Sequence, residues 1–404
     1  MKICIVSLHY VPFLRGDTTR TFGGAEVQTA FLVDALQEHG HEVTMVVADY
    51  DGGPFPCAVE NAFHSARGIP GLRFFMPRAY GILRALARAD ADVYYQRNAG
   101  MITGLVAWHC RRTGHIFVYG AGSDVDFSRR EMAVNNPRDR WLFRSGLRRA
   151  DGVVVQNAVQ RDAAVGAVRG VVEVIPNGVR VGSASRGTGD GRDSPDADAG
   201  GGGYVAWVGA MWQIKRPDLV LELATRLPGV SFVVVGGDIA SEPGIGHAVR
   251  RAARALENVR LTGRLPREAV YRVLRGALCL VNTSDAEGFP NAYLEAWSEG
   301  VPVVTLRDVD GLVDDSGAGV VCASIEEMIA TLGELATDPA RARAMGRVGR
   351  EMVRARFSPG ALAARYTAFF ERVLAAHGGS GARATPPGDR TVAHRPRGPG
   401  RIGD

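Results

Sequence analysis

At 404 residues the chain is too long for one ordinary hydrophobic core, and its length predicts two domains with additions. A hydrophobic content of 46% beside 23% charged residues is globular, and the absence of any run of about eighteen apolar residues excludes a predicted membrane-spanning helix. The net charge of +5 is modest and built almost wholly from arginine, since Lys2 and Lys215 are the two lysines of the sequence. The five cysteines (Cys4, Cys57, Cys110, Cys279 and Cys322) are scattered and odd in number, which predicts neither a disulfide framework nor a zinc site and fits a reducing cytoplasm.

In chain order, "KICIVSLHY" (2–10) is a short apolar, β-branched run that reads as a buried strand rather than a signal peptide. In "AEVQTAFLVDALQEHG" (25–40) the residues Val27, Phe31, Leu32, Ala35 and Leu36 share a helical face, and Gly40 ends it. Further strands are predicted at 41–49, 92–98, 115–122 and 152–157. A second series follows: strand 204–210, helix 216–228, strand 231–238, helix 269–277, strand 278–284, helix 291–300 and strand 302–306. Strand–helix alternation of this spacing predicts an α/β protein made of two Rossmann-like domains, each a parallel sheet covered on both faces. The first domain is placed at 1–177 and the second at 204–357, with a flexible junction at 178–203 that is rich in Gly, Asp and Ser. A last amphipathic helix is placed at 358–376 and a disordered tail at 377–404. Open α/β sheets present ligands at the carboxyl ends of their strands, so the cleft between the domains is the predicted site.

The stretch "EGFPNAYLE" (287–295) lies at such a strand end. Glu287 falls in the loop, Pro290 is expected in the first turn of the next helix, and Glu295 sits about one turn further on. The amides of Phe289, Asn291 and Ala292 point out of the helix start and make an anion site. Acids near a helix N-terminus also stabilise its dipole, and a lone glutamate there needs no other explanation. A phosphate seat flanked by two carboxylates, which accept hydrogen bonds from vicinal hydroxyls, suits a sugar nucleotide.

The segment "VNTSDAEGFPNAYLEAWSEGVPVV" (281–304) resembles the E-x7-E signature of retaining family-four glycosyltransferases, whose two Rossmann-like domains face across a cleft in the GT-B architecture. The resemblance implies that Glu287 contacts the transferred sugar, that Gly288, Phe289, Pro290 and Asn291 meet the sugar and diphosphate, and that Glu295 holds the nucleotide ribose. "VIPNGV" (174–179) resembles the family's entry into the second domain, and "VGAMWQIKRPDL" (208–219) its G-R-x4-K loop. There Gly209 takes the glycine position and Lys215 the lysine position, where it would neutralise the departing diphosphate. Ala210 stands where the family has arginine, with Arg216 as the nearby candidate to compensate. "TFGGAEVQTAFLV" (21–33) resembles the glycine-rich loop of the first domain, which would bring Gly23 and Gly24 to the diphosphate and acceptor, although a tight strand–helix turn explains "GGAE" equally well. The family's histidine near residue 120 is missing, and Ser123 or Asp124 occupies its neighbourhood.

The resemblance implies a retaining hexosyltransferase that takes a nucleotide-diphospho-sugar as co-substrate, with no resident cofactor and no metal. The expected acceptor is a glycan, a lipid-linked molecule or a small molecule. A sugar-nucleotide epimerase, a phosphorylase and a non-catalytic nucleotide-sugar-binding protein remain alternatives on the same fold. The arginine-rich apolar stretches 71–90 and 139–149 are expected to be either amphipathic core helices or a peripheral contact with an anionic membrane at the inner face of the cell. No recognised nucleic-acid motif is present.

Overall fold

The computed structural model describes residues 1–15, 24–66, 74–128, 134, 136–181, 203–239 and 242–379. Gly23, nearly all of the glycine-rich junction and the tail from residue 380 lie outside the described residues.

Two parallel sheets organise the chain. The first contains β1 (Lys2–Val6), β2 (Glu42–Val47), β3 (Ala58–Asn61), β4 (Val93–Arg97), β5 (Ile116–Gly120), β6 (Gly152–Val155) and β7 (Val171–Val174), in the order β3-β2-β1-β4-β5-β6-β7. The second contains β8 (Tyr204–Val208), β9 (Phe232–Val235), β10 (Val259–Gly263), β11 (Ala277–Asn282), β12 (Val303–Thr305) and β13 (Gly319–Val321), in the order β10-β9-β8-β11-β12-β13. Connecting helices of the first domain are α1 (Tyr10–Leu14), α2 (Gly24–Glu38), α3 (Tyr80–Ala89), α4 (Met101–Thr113), α5 (Pro137–Leu147) and α6 (Ala158–Val165). Those of the second are α7 (Pro217–Arg226), α8 (Pro243–Ala253), α9 (Arg267–Gly276), α10 (Asn291–Ser298), α11 (Ile325–Thr337) and α12 (Pro339–Arg356), and the last helix is α13 (Pro359–Gly379).

Central strands are apolar on both faces because helices cover both sides of each sheet; β5, β6 and β9 are buried at every residue. The strands that sequence reading missed, β3, β7, β10 and β13, are edge strands of five residues or fewer whose side chains are half-exposed. In each sheet the order reverses at one place, between β1 and β4 and between β8 and β11. At such a reversal the loops leave in opposite directions and open a crevice at the strands' carboxyl ends.

The last helix belongs spatially to the first domain. Leu362, Ala363, Tyr366, Phe369, Phe370 and Val373 of α13 are buried with Phe31 and Leu32 of α2 and Tyr95 of β4. Arg365 donates to the Val174 carbonyl at 2.5 Å, and Arg372 pairs with Glu173 of the same edge strand. The helix runs to Gly379, past the predicted end at 376, so residues 377–379 are helical and not part of a tail. Truncating the fully buried Phe369 to alanine is expected to cost about 3–5 kcal/mol of stability, read by urea denaturation.

Candidate active site

The two sheet reversals face one cleft of about 660 Å³. Its second-domain wall is built by the loops after β8 and β11. Lys215 ends a 3-10 turn (Gln213–Lys215), and that turn is pinned to the end of β11 by several bonds. Thr283 Oγ1 donates to the carbonyls of Lys215 and Arg216 at 2.9 Å each, and the Asp285 amide donates to the Ile214 carbonyl at 2.9 Å. Arg216 adopts the left-handed region (φ 47°), which lets the chain turn straight into Pro217 and α7.

This clamp places the Lys215 ammonium 2.7 Å from both oxygens of Glu287. Glu287 Oε1 also accepts from Ser284 Oγ at 2.7 Å and Asn282 Nδ2 at 3.0 Å. The Glu287 side chain is 7% exposed and that of Lys215 25% exposed, so water screens the pair weakly. Oε1 is saturated by three donors, whereas Oε2 takes one and retains capacity for a ligand hydroxyl.

Pro290 is the N-cap of α10, with an extended backbone (φ −78°, ψ 103°), and not a residue of the first turn; the helix begins at Asn291. Asn291 and Ala292 therefore present the first helix amides, which have no acceptor within the helix, toward the cleft that both line. Glu295 lines the cleft one turn on, with its side chain 15% exposed and Arg267 Nε at 3.8 Å. Burial raises its carboxyl pKa, and Arg267 opposes the shift only in part. Tyr271, stacked under Arg267, is pushed up to about 12 by burial.

The first domain supplies the other wall. Gly24 opens α2, and a Cβ there would strike the Asn291 side-chain amide, so the starts of α2 and α10 abut. Asn291 Oδ1 accepts from Gln28 Nε2 at 3.2 Å and from Asn177 Nδ2 at 2.8 Å. The Gly288 carbonyl accepts from Asn157 Nδ2 at 2.5 Å, and Asp310 accepts from the Ala158 amide at 2.8 Å. Asp124, in the family histidine's neighbourhood, lines the cleft with its carboxylate held by Gln160 at 2.7 Å; Ser123 lines it too. Burial raises the carboxyl of the adjacent Asp126, against amide bonds from Gly122 and Ser123.

Of the sequence-predicted residues, Gly24, Gly209, Lys215, Glu287, Gly288, Phe289, Pro290, Asn291 and Glu295 line this one cleft. Gly23 lies outside the described residues. Arg216 is placed at the rim: its guanidinium holds Asp218 at 2.7 Å and Asp285 at 3.5 Å, and it does not line the cleft. Sequence reading missed Arg97, Asn177 and Gln156, which line the cleft, and Gln28, Asn157 and Gln160, which brace it. The one usable signal was Arg97's place at the carboxyl end of a predicted strand. Among the described residues no group of three or more His, Cys, Asp or Glu side chains is gathered closely enough to hold a metal ion.

Two parallel-sheet domains facing across a cleft, with carboxylates, a lysine and a helix N-terminus converging on it, define the GT-B class. The description "Glycosyl transferase 4-like domain" matches residues 23–178, and "Glycosyl transferases group 1" matches residues 202–338. The chain belongs to the family-four glycosyltransferases of the GT-B architecture. Among curated relatives, the D-inositol 3-phosphate glycosyltransferase of Mycolicibacterium smegmatis is 28% identical over 61% of this chain and 59% of its own length. That of Mycobacteroides abscessus is 34% identical over 32% of this chain and 31% of its own. The matches thus span between about a third and three fifths of these relatives. Similar solved folds include sucrose-phosphate synthase from Thermosynechococcus elongatus, at 20% identity and a TM-score of 0.69 over 93% of this chain and 99% of that one. Another is Anabaena HepE in complex with UDP, at 15% identity and a TM-score of 0.70 over 92% and 100% of the two chains.

Because burial raises the Glu295 carboxyl, the folded protein loses stability as pH rises from the ordinary carboxylate value through the raised one. Glu295→Gln removes that loss. Its unfolding midpoint is expected to match wild type near pH 4 and to exceed it at pH 8, measured by thermal denaturation of the ligand-free protein.

Proposed function

We propose that this protein is a retaining glycosyltransferase that moves a hexosyl group from a nucleotide-diphospho-sugar to a glycan, lipid-linked or small-molecule acceptor. The observation that carries the reading is the Lys215–Glu287 pair beside the N-terminus of α10 at the sheet reversal of the second domain. Glu287 Oε2 accepts a hydroxyl of the transferred sugar, and the amides of Asn291 and Ala292 receive the diphosphate. Lys215 keeps a third N–H for the same phosphate and stabilises charge as the sugar–phosphate bond breaks. Glu295 accepts from the ribose hydroxyls. Retention and the hexosyl group are inferred from the family resemblance. The donor sugar is consumed as co-substrate, and no resident cofactor is assigned. Structural neighbours solved with UDP and with UDP-glucose support a nucleotide sugar as the ligand, and make uridine the first base to test. The relatives named for inositol 3-phosphate support a small phosphorylated polyol among the acceptors to screen.

Lys215→Ala is expected to lower kcat by about 100-fold or more, as loss of a transition-state charge contact does. Glu295→Ala is expected to raise the donor KM by about 10-fold, the scale of one or two hydrogen bonds to a charged group. Both are read by initial rates with the donor that a thermal-shift screen of UDP-, GDP- and other nucleotide sugars selects. Wild-type turnover in both variants contradicts the assignment. Ala210 and the missing histidine favour one second reading, a binding protein without turnover. Donor-induced thermal stabilisation with no product across a broad acceptor panel is its signature.

We further propose that the face formed by α3, α4 and α5 rests on an anionic lipid surface at the inner side of the cell membrane. A groove of about 530 Å³ there is lined by Leu105, Trp108, Trp141 and Leu142 with Arg111 and Arg149. Trp108 is 50% and Trp141 65% exposed, and the Arg112 guanidinium lies 5.2 Å from the Trp108 ring centre. Helices α3 and α4 carry Arg84, Arg88, Arg111 and Arg112 and no acid. Along α5 and the two residues after it, Arg138, Arg140, Arg144, Arg148 and Arg149 stand against Asp139 alone, which Arg138 already holds at 2.7 Å. Arg88 is paired with Glu60, and exposed indoles among arginines that outnumber the acids of these helices suit the headgroup region of an anionic bilayer. Among the described residues no helix is long and apolar enough to cross a membrane. Co-sedimentation with phosphatidylserine-containing vesicles is expected at low salt, falling as salt rises and in a Trp108→Ala/Trp141→Ala variant. No binding at low salt contradicts the proposal.

A further inference from the structure

Ala210 removes a positive charge from the loop that the family resemblance assigns to the diphosphate, and Arg216 does not restore it, because Asp218 and Asp285 hold its guanidinium. Among the described residues that line the cleft, the cations are Lys215 and Arg97. Lys215 is matched by Glu287. Arg97 has no carboxylate within ion-pair distance among the described residues; the buried Asp126 carboxyl feels its charge only at longer range and accepts from Tyr119 and the Gly122 amide instead.

Arg97 ends β4 at the reversal point of the first sheet, where that sheet's crevice opens. One of its terminal nitrogens donates to Asn177 Oδ1 at 2.8 Å, and its Nε is buried with no partner. Asn177 Nδ2 in turn donates to Asn291 Oδ1 at 2.8 Å. The guanidinium is therefore held two hydrogen bonds from the first residue of α10, whose amide is the proposed phosphate seat. Asn177, buried itself, orients the guanidinium without neutralising it. A planar guanidinium with spare N–H groups, held in a partly desolvated cleft, is suited to two phosphate oxygens at once.

We propose that Arg97 is the second diphosphate-binding cation of this protein, contributed by the first domain in place of the arginine that Ala210 displaces. The inference rests on the nucleotide-diphospho-sugar reading given above. Its consequence differs from that of an arginine at position 210: the diphosphate is gripped from both walls of the cleft. Recognition of a β-phosphate then requires the two domains to be together, as the bonds from Asn177 and Gln28 to Asn291 hold them. A monophosphate that reaches only the second-domain wall does not engage Arg97.

Isothermal titration of wild type, Arg97→Gln and Arg97→Gln/Ala210→Arg with UDP and UMP, and again with GDP and GMP, tests this directly. Arg97→Gln is expected to weaken the diphosphate by about 10-fold or more, the effect of losing one charge-assisted contact, and the monophosphate by less than about 3-fold. The double variant is expected to recover most of the diphosphate affinity, which also shows that its fold is intact. If wild type binds a diphosphate and Arg97→Gln binds it equally well, the role of Arg97 is wrong while the donor reading stands. The role is equally wrong if Arg97→Gln changes only the acceptor KM, which would place the guanidinium on an acceptor anion. If wild type binds neither diphosphate, both readings fall.

Discussion

The arrangement of the cleft turns on one interaction, the Lys215–Glu287 ion pair. Two charges taken largely out of water are an expensive way to hold loops together, and apolar side chains of equal volume serve stability as well or better. Here the expense is offset by geometry. Glu287 accepts from Ser284 and Asn282 as well as from Lys215, and Lys215 bonds both of its oxygens. Thr283 and Asp285 then lock the backbone of one partner's loop onto that of the other. A pair so braced keeps the Lys215 ammonium aimed beside a helix N-terminus, which packing alone does not require.

The remainder of the fold delivers other groups to that point. Each sheet reverses its strand order once; the reversals present Arg97, at the end of β4, on one side and Lys215 and Glu287, in loops, on the other. The walls are kept in register by bonds that cross between domains, from Asn157 to Gly288, Ala158 to Asp310, and Asn177 and Gln28 to Asn291. Helix α13, reaching back under α2 and β4, couples the end of the second domain to the core of the first.

Much of this was legible in the sequence, for physical reasons that differ by element. The central strands announce themselves because burial on both faces demands an unbroken apolar run, whereas β3, β7, β10 and β13 meet water on one side and lose that signature. Glu287 and Glu295 were readable because one strand, loop and helix carry both, and Lys215 because lysine is so rare here. Arg97 had no such contrast among so many arginines. The bracing of Gly288 by Asn157, and of Asn291 by Gln28, joins residues far apart in the chain, so no local pattern encodes it. Arg216 was a plausible substitute by proximity, but the left-handed turn at that residue sends its side chain to Asp218 and Asp285. The predicted helix 291–300 does start at Asn291, but Pro290, expected in its first turn, is the N-cap, because proline suits that position's extended backbone as readily.

The decisive measurement is a crystal structure of the protein with a bound nucleoside diphosphate. A terminal phosphate is expected about 3 Å from Lys215 Nζ and from the amides of Asn291 and Ala292, with the ribose hydroxyls on Glu295. A nucleotide seated outside this cleft, or one whose phosphates leave Lys215 and the start of α10 untouched, contradicts it.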